Sequence, residues 1–362
     1  MKHLTVVIIS FIFSILLPAQ NLKPGFDPEE CRQMLYISAR TSANKEYAAQ
    51  FPEPGFKMLY QSQPFGFDNL WDLWENDKSQ GVISIRGTTG KPESWLANVY
   101  AAMVSANGYL VLAPGDTFHY KLAKNPNAAV HAGWLTSTGF LAKQIVPKID
   151  SLYKKGVKNF FITGHSQGGA IAYLMTAYLH YLVVDKKLPS DIVFKTYCTA
   201  GPKPGNLEFA YDYESYTQLG WAYNVINAAD WVPQVPFSIQ TTDDYAKTNP
   251  FKNAKKMIKK LKFPIDLVLG SIYSKMEKAP KKARDNFKKY LGNMIVKVIK
   301  KNKKDFVAPA FYNSSYYVRT GNIIVLTPNE EYYTKFAESD SNIFVHHFHN
   351  PYLYLMDNEF RK

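Results

Sequence analysis

The stretch from Val157 to about Val184 constrains the fold more than any other. Val157-Lys158-Asn159-Phe160-Phe161-Ile162-Thr163 is a short apolar strand, Gly164-His165-Ser166-Gln167-Gly168 follows without a linker, and a long apolar helix begins at Gly168. A strand and helix that are both largely apolar belong to a mostly parallel sheet covered by helices on both faces. The turn between them fits G-x-S-x-G, in which a tight strand-to-helix reversal pushes a serine hydroxyl out of the sheet. Small residues at 164, 168 and 169 permit the close approach, and the amide of Gln167 falls beside the serine oxygen.

The surrounding pattern agrees with that sheet. Asp27-Pro28-Glu29-Glu30 offers a cap, a proline at the first helical position and an acidic first turn, opening a helix to about Ala43. Phe56 to Gln61, Leu70 to Glu75 and Gly81 to Ile85 read as strands, as do Ile192–Cys198, Ala222–Asn227 and Asn322–Leu326. Residues 89–131 read as irregular apart from an apolar helix around Trp95 to Val104, a helix is expected from Thr138 to Lys155, and a final one begins near Asn350. The fold class is therefore α/β, with one domain over residues 20–362 and no repeat period that would suggest a solenoid.

Two segments stand apart. Met1-Lys2-His3, an uncharged run from Leu4 to Leu17 and Pro18-Ala19-Gln20 have the form of a secretory signal over residues 1–19, which predicts a secreted or periplasmic protein. The net charge of +13 is carried by one region: Lys252 to Lys304 holds 18 Lys and Arg against 3 Asp and Glu, and the rest of the chain is slightly acidic. A nucleic-acid partner is not expected from so local an excess. Within an insertion at about 241–309, Ala254, Met257, Ile258 and Leu261 recur at helical spacing, as do Phe287, Tyr290, Leu291, Met294, Ile295, Val298 and Ile299, giving two basic amphipathic helices joined by a proline-containing stretch. Such helices can lie on an anionic lipid surface, or they can form a solvated cap whose apolar faces pack on the main domain. Cys31 and Cys198 either form one bridge or remain two buried thiols.

A serine hydroxyl needs an imidazole to take its proton and an acid to orient that imidazole. In a fold with this elbow the partners follow in the order serine, acid, histidine. Asp230 lies just beyond the strand Ala222–Asn227, where the acid belongs; Asp212, Asp243 and Asp244 are less well placed. Three candidate bases, His346, His347 and His349, sit together near the carboxyl end. His119 and His131 precede the serine and read as buried structural histidines.

Taken with Ile85-Arg86-Gly87-Thr88, Val130-His131-Ala132-Gly133-Trp134, Gly201-Pro202-Lys203-Pro204-Gly205-Asn206 and Asn227–Pro236, the elbow resembles the class 3 lipases, an α/β-hydrolase family with fungal and plant members. The resemblance implies an α/β-hydrolase fold and makes Ser166 the nucleophile, Asp230 the acid, and the amides of Thr88 and Gln167 the oxyanion hole. The plant-type ending, His then four residues then Tyr-Leu, selects His347, and the shorter fungal spacing would select His349. It also places a lid near Trp95 and Leu96, with core packing of both as the other reading. The expected activity is hydrolysis of a lipid or other carboxylic ester, triacylglycerol first and phospholipid or soluble ester as alternatives, with no cofactor or metal. A catalytically silent surface-binding protein is the reading outside enzymes.

Overall fold

The computed structural model describes residues 22–42 and 44–360, and the leader expected over residues 1–19 lies outside them. The strands are β1 (Lys57–Gln61), β2 (Trp71–Glu75), β3 (Gln80–Ile85), β4 (Met103–Ser105), β5 (Asn107–Ala113), β6 (Asp116–Lys121), β7 (Ala129–His131), β8 (Asn159–His165), β9 (Val193–Thr199), β10 (Ala222–Asn227) and β11 (Asn322–Leu326). The α-helices are α1 (Pro28–Thr41), α2 (Lys45–Ala48), α3 (Pro92–Val99), α4 (Ala132–Tyr153), α5 (Gln167–Val184), α6 (Leu207–Thr217), α7 (Ala254–Ile258), α8 (Ile265–Lys288), α9 (Ile295–Asn302), α10 (Glu330–Lys335) and α11 (His349–Phe360).

Seven strands form the central sheet in the order β1-β2-β3-β8-β9-β10-β11. The β1–β2 and β2–β3 pairs are antiparallel and every later pair is parallel. Register decides where the site can be. Ile85 of β3 is opposite Gly164 of β8, and Val225 of β10 is opposite Thr199 of β9. The chains leaving β3, β8 and β10 thus emerge at one edge, beyond the carboxyl ends of the parallel strands.

Period-2 alternation along the strands divides the core into two layers. Ile83, Phe160 and Ile162 pack with Leu141 and Ile145 of α4 and Leu174 of α5, whereas Val82, Phe161 and Val225 pack with Met34 and Leu35 of α1 and Leu355 of α11. This architecture is the α/β-hydrolase type, with a mostly parallel sheet between helices.

The layering also decides the cysteine question. Cys31 belongs to the α1–α11 layer and Cys198 to the α4–α5 layer, with the sheet between them, and both are buried free thiols. The bridge considered for them is therefore absent. Burial pushes both thiols up from the usual range.

Several elements depart from the sequence reading. Residues 89–131 carry β4–β7, and the helix expected to reach Val104 ends at Val99. β4 pairs with β7 and β5 with β6, short ribbons whose apolar runs are broken by Gly108 and Gly115 and therefore lack a strand-length pattern. α4 begins at Ala132, six residues before the expected start, because the His131 side chain caps it by accepting from Trp134 N. In the insertion, the stretch expected to link two helices is itself helical as α8, with Pro280 inside it. Pro280 removes only the bond to the carbonyl of Met276, an exposed residue whose carbonyl water can serve.

The inner half of the insertion is packed as a cap. Phe287, Val296, Ile299 and Phe306 are buried, Ala102 N donates to Leu291 O at 3.1 Å, and Gly292 lies against Ala102 and Phe311. Among the described residues no helix is long and apolar enough to cross a membrane.

Two reduced thiols on opposite sides of a sheet predict that a thiol reagent labels neither cysteine in the native protein and both in denaturant. A reductant should leave the thermal midpoint unchanged.

Candidate active site

Ser166 stands at the junction of β8 and α5 with φ 62° and ψ −131°, in a region that side-chain-bearing residues seldom occupy. A conformation of this kind costs on the order of 1–3 kcal/mol and persists only where its surroundings enforce it. Here backbone enforces it. A Cβ on Gly168 would lie 2.1 Å from Ile85 O, and one on Gly164 would lie 2.3 Å from Gly168 O, so neither residue can carry a side chain. Ser166 N donates to Thr199 O at 3.0 Å and Ser166 O accepts from Ala170 N at 3.1 Å, closing the turn on both sides. Ser166 is half-buried between fully buried neighbours.

The loop after β3 runs beside this turn. A Cβ on Gly87 would sit 3.4 Å from Ser166 Cβ, which puts Thr88 at the elbow together with Gln167. Their side chains are joined: Thr88 Oγ1 donates to Gln167 Oε1 at 3.2 Å, and Asn98 Nδ2 donates to Thr88 Oγ1 at 2.9 Å. Ser94 Oγ also donates to Gln167 Oε1, and Gln167 Nε2 returns a bond to Ser94 O. α3 is thereby tied to both residues. On that helix Trp95 is 43% exposed, while Leu96 is half-buried and packs against the core.

The loop is held from behind by Asp68, which the sequence reading did not single out. Its carboxylate accepts from Arg86 Nη2 at 2.9 Å, Thr89 Oγ1 at 2.8 Å and Lys91 Nζ at 3.0 Å. Burial works against the charged form of Asp68, but the bonds from Lys91 and Thr89 and the charge of Arg86 outweigh it and hold the carboxyl below the usual range. Nothing local in the sequence marks Asp68, which lies 18 residues before Arg86.

Asp230 is buried just past β10 and makes three bonds. Oδ1 accepts from Val232 N at 2.9 Å, and Oδ2 accepts from both His347 Nδ1 and Tyr352 Oη at 2.8 Å. Because a carboxylate only accepts, this bond places a proton on His347 Nδ1, and the neutral ring in that tautomer presents a lone pair on Nε2. The main chain of the histidine segment is fastened to the sheet, with Asn227 Nδ2 donating to His346 O at 2.9 Å and His165 Nε2 donating to His347 O at 2.6 Å.

The other candidate bases are engaged elsewhere. His349 Nε2 meets Ser38 Oγ at 2.9 Å and Nδ1 meets Tyr47 Oη at 2.8 Å, with its ring stacked on His165 at 4.1 Å. His346 Nδ1 meets Tyr332 Oη at 2.8 Å, and its Nε2 lies 3.4 Å from Glu338 Oε1. His131 is buried as expected, stacked on Trp134 at 3.7 Å. His119 is not: it lies exposed on β6, because its neighbours Phe118 and Tyr120 take the buried side of the strand. Asp212 accepts from Tyr181 Oη, and Asp243 pairs with Arg284. Among the described residues no group of three or more His, Cys, Asp or Glu is placed to hold a metal ion.

Residues 82–240, spanning β3, the elbow and Asp230, match the sequence model of the family Lipase (class 3). Over that segment the chain is similar to the class 3 lipases. His347 falls outside the matched segment. Solved structures similar to this chain include the Rhizomucor miehei lipase propeptide complex, at 21% identity and TM-score 0.44 over 59% of this chain and 65% of that one, slightly under two thirds of its length. Lip2 lipase from Yarrowia lipolytica aligns at 22% identity and TM-score 0.45, over 59% of this chain and 76% of that one. The lipase from Rhizopus microsporus var. chinensis aligns at 19% identity and TM-score 0.43, over 59% and 71%. No curated protein gave a significant match.

Two consequences are measurable. Burial lowers His131 and His349 to about 3 and depresses His165 strongly, whereas an unfolded chain's imidazoles titrate near 6.5. Below about pH 6.5 the unfolded chain binds more protons, so stability falls with pH by about 1.4 kcal/mol per unit for each of the three rings. Asp72, pushed up to about 6 by burial, takes its proton first in the folded state and offsets one ring between about pH 6 and 4. Urea titrations at pH 7, 6 and 5 should therefore show a steadily falling midpoint; a flat profile would mean that these rings charge without penalty. Separately, Asp68→Ala strands the buried Arg86 guanidinium and should lower stability by about 3 kcal/mol in the same assay.

Proposed function

We propose that this chain is an exported serine hydrolase that cleaves the carboxylic esters of lipids, triacylglycerols foremost, through an acyl-enzyme. The reading rests above all on the strained Ser166 turn, whose neighbour His165 bonds the His347 carbonyl, together with the 2.8 Å His347–Asp230 bond. The match of residues 82–240 to the class 3 lipase model supports ester hydrolysis by a lipase, and the amino-terminal pattern over residues 1–19 supports export.

In this reading Ser166 Oγ attacks the ester carbonyl while His347 Nε2 takes the hydroxyl proton. Asp230 keeps the ring in the tautomer that can accept it and stabilises the imidazolium that forms. The carbonyl oxygen becomes an oxyanion facing the amides of Thr88 and Gln167, the latter in the first turn of α5, where the helix dipole favours negative charge. The alcohol leaves with the proton held by His347, and a water molecule then repeats the sequence on the acyl-enzyme. No step draws on a metal or organic cofactor.

The reading is tested by fatty-acid release from emulsified triacylglycerol. Ser166→Ala should abolish release, by about a million-fold. Asp230→Asn should cost about ten-thousand-fold while leaving circular dichroism unchanged. Release that survives Ser166→Ala would remove the assignment. A wild-type protein that hydrolyses phospholipid or soluble ester but not triacylglycerol would keep the machinery and change the substrate.

A further inference from the structure

The outer half of the insertion takes no part in the site and is not covered by the main domain. α7 and the first half of α8 form a projecting pair in which α7 packs on α8, stapled by the Lys255–Glu277 ion pair at 2.5 Å and by Tyr273 Oη donating to Phe251 O at 3.2 Å. Its apolar side chains face outward. Along α8, Ile265, Val268, Leu269, Ile272 and Met276 recur at the i, i+3, i+4, i+7 spacing of one face, yet each is at least 40% exposed. Phe263, at the turn before the helix, is 79% exposed. An apolar stripe of this length, about 16 Å, is not left in water without reason.

We propose that this hairpin docks the protein on an anionic lipid surface. The charge selects the occupant. From Lys252 to Lys275 there are seven lysines and one acidic residue, Asp266. Lys259, Lys260 and Lys262 crowd the turn that carries Leu261 and Phe263, and all are exposed. A second copy of the chain would set two such cationic clusters against each other. A bilayer carrying anionic headgroups matches both features at once: Phe263 and the α8 stripe enter the acyl boundary, and the lysines reach back to the headgroups. The hairpin is rigidly based, since it continues through α8 into the buried Phe287 and on to α9, which packs against α3. Docking would thus anchor the helix whose Ser94 and Asn98 hold Gln167 and Thr88. The inference does not depend on ester chemistry, although it gives the hydrolase reading a route to an insoluble substrate.

The test is co-sedimentation of the chain with vesicles of phosphatidylcholine alone and with about one third phosphatidylglycerol. Retention on the anionic vesicles should be at least about tenfold stronger and should weaken in high salt. The triple variant Phe263→Ser, Ile265→Ser, Ile272→Ser should lose retention while hydrolysing a soluble p-nitrophenyl ester at the wild-type rate. Equal retention on both vesicles, no retention, or undiminished retention of the triple variant would overturn the proposal. So would a wild-type dimer in solution that the triple variant converts to monomer. Charge-dependent retention in a protein that hydrolyses no ester would uphold docking and sink the hydrolase reading.

Discussion

The approach of the α5 backbone to the ends of β3 and β8 is the contact on which the rest of the site depends. With Gly168 seated against Ile85 O and Gly164 against Gly168, no side-chain volume separates helix from sheet, and the one residue between them must turn through positive φ. That strain is opposed by the burial of α5, most of whose side chains are inside the protein. The same contact aligns the chain leaving β3 with the first turn of α5, so a single packing event delivers both the serine and two neighbouring backbone amides. Function and fold share one interface here, and neither could be altered alone.

The Asp230–His347 pair requires a different kind of support, because 117 residues separate the two. Tyr352 and Val232 occupy the carboxylate lone pairs that His347 leaves, while Asn227 and His165 bind successive main-chain carbonyls of the histidine segment. The His165 ring lies against the His347 and His349 rings. Burial keeps His165 and His349 neutral, since a charge on either ring would lack a carboxylate partner.

How far this could be read in advance depended on whether the signal was local. The strands of the parallel sheet were legible because they are buried on both faces and so apolar throughout, as Phe160, Phe161 and Ile162 are. The ribbon of β5 and β6 was not, because half its residues face water, Tyr109 and His119 among them. Ser166 declares itself through its own neighbours, and Asp230 through the strand that ends just before it. Composition does not separate the three nearby histidines; the plant-type spacing to Tyr352-Leu353 favours His347, and the structure puts that ring on Asp230. Asp68, Tyr332 and Tyr352 have bonding roles that arise wholly from distant partners. The outer insertion was illegible in another way: its apolar stretch reads as a link between two helices, and the structure makes it a helix whose apolar stripe is exposed.

The chain order of these parts bears on when the protein acquires its chemistry during synthesis. β3, the elbow and β10 are all translated before the insertion, and the sheet can collapse around them while the carboxyl-terminal residues are still unmade. Both partners of Asp230 Oδ2, His347 and Tyr352, come from that later stretch. The strand β11 must add to β10, and the segment from His346 to Tyr352 must cross back over Asn227 and His165, before the carboxylate is satisfied. On the proposed reading, a nascent chain would carry its nucleophile long before its base and gain its chemistry only when the helix that holds Tyr352 has docked.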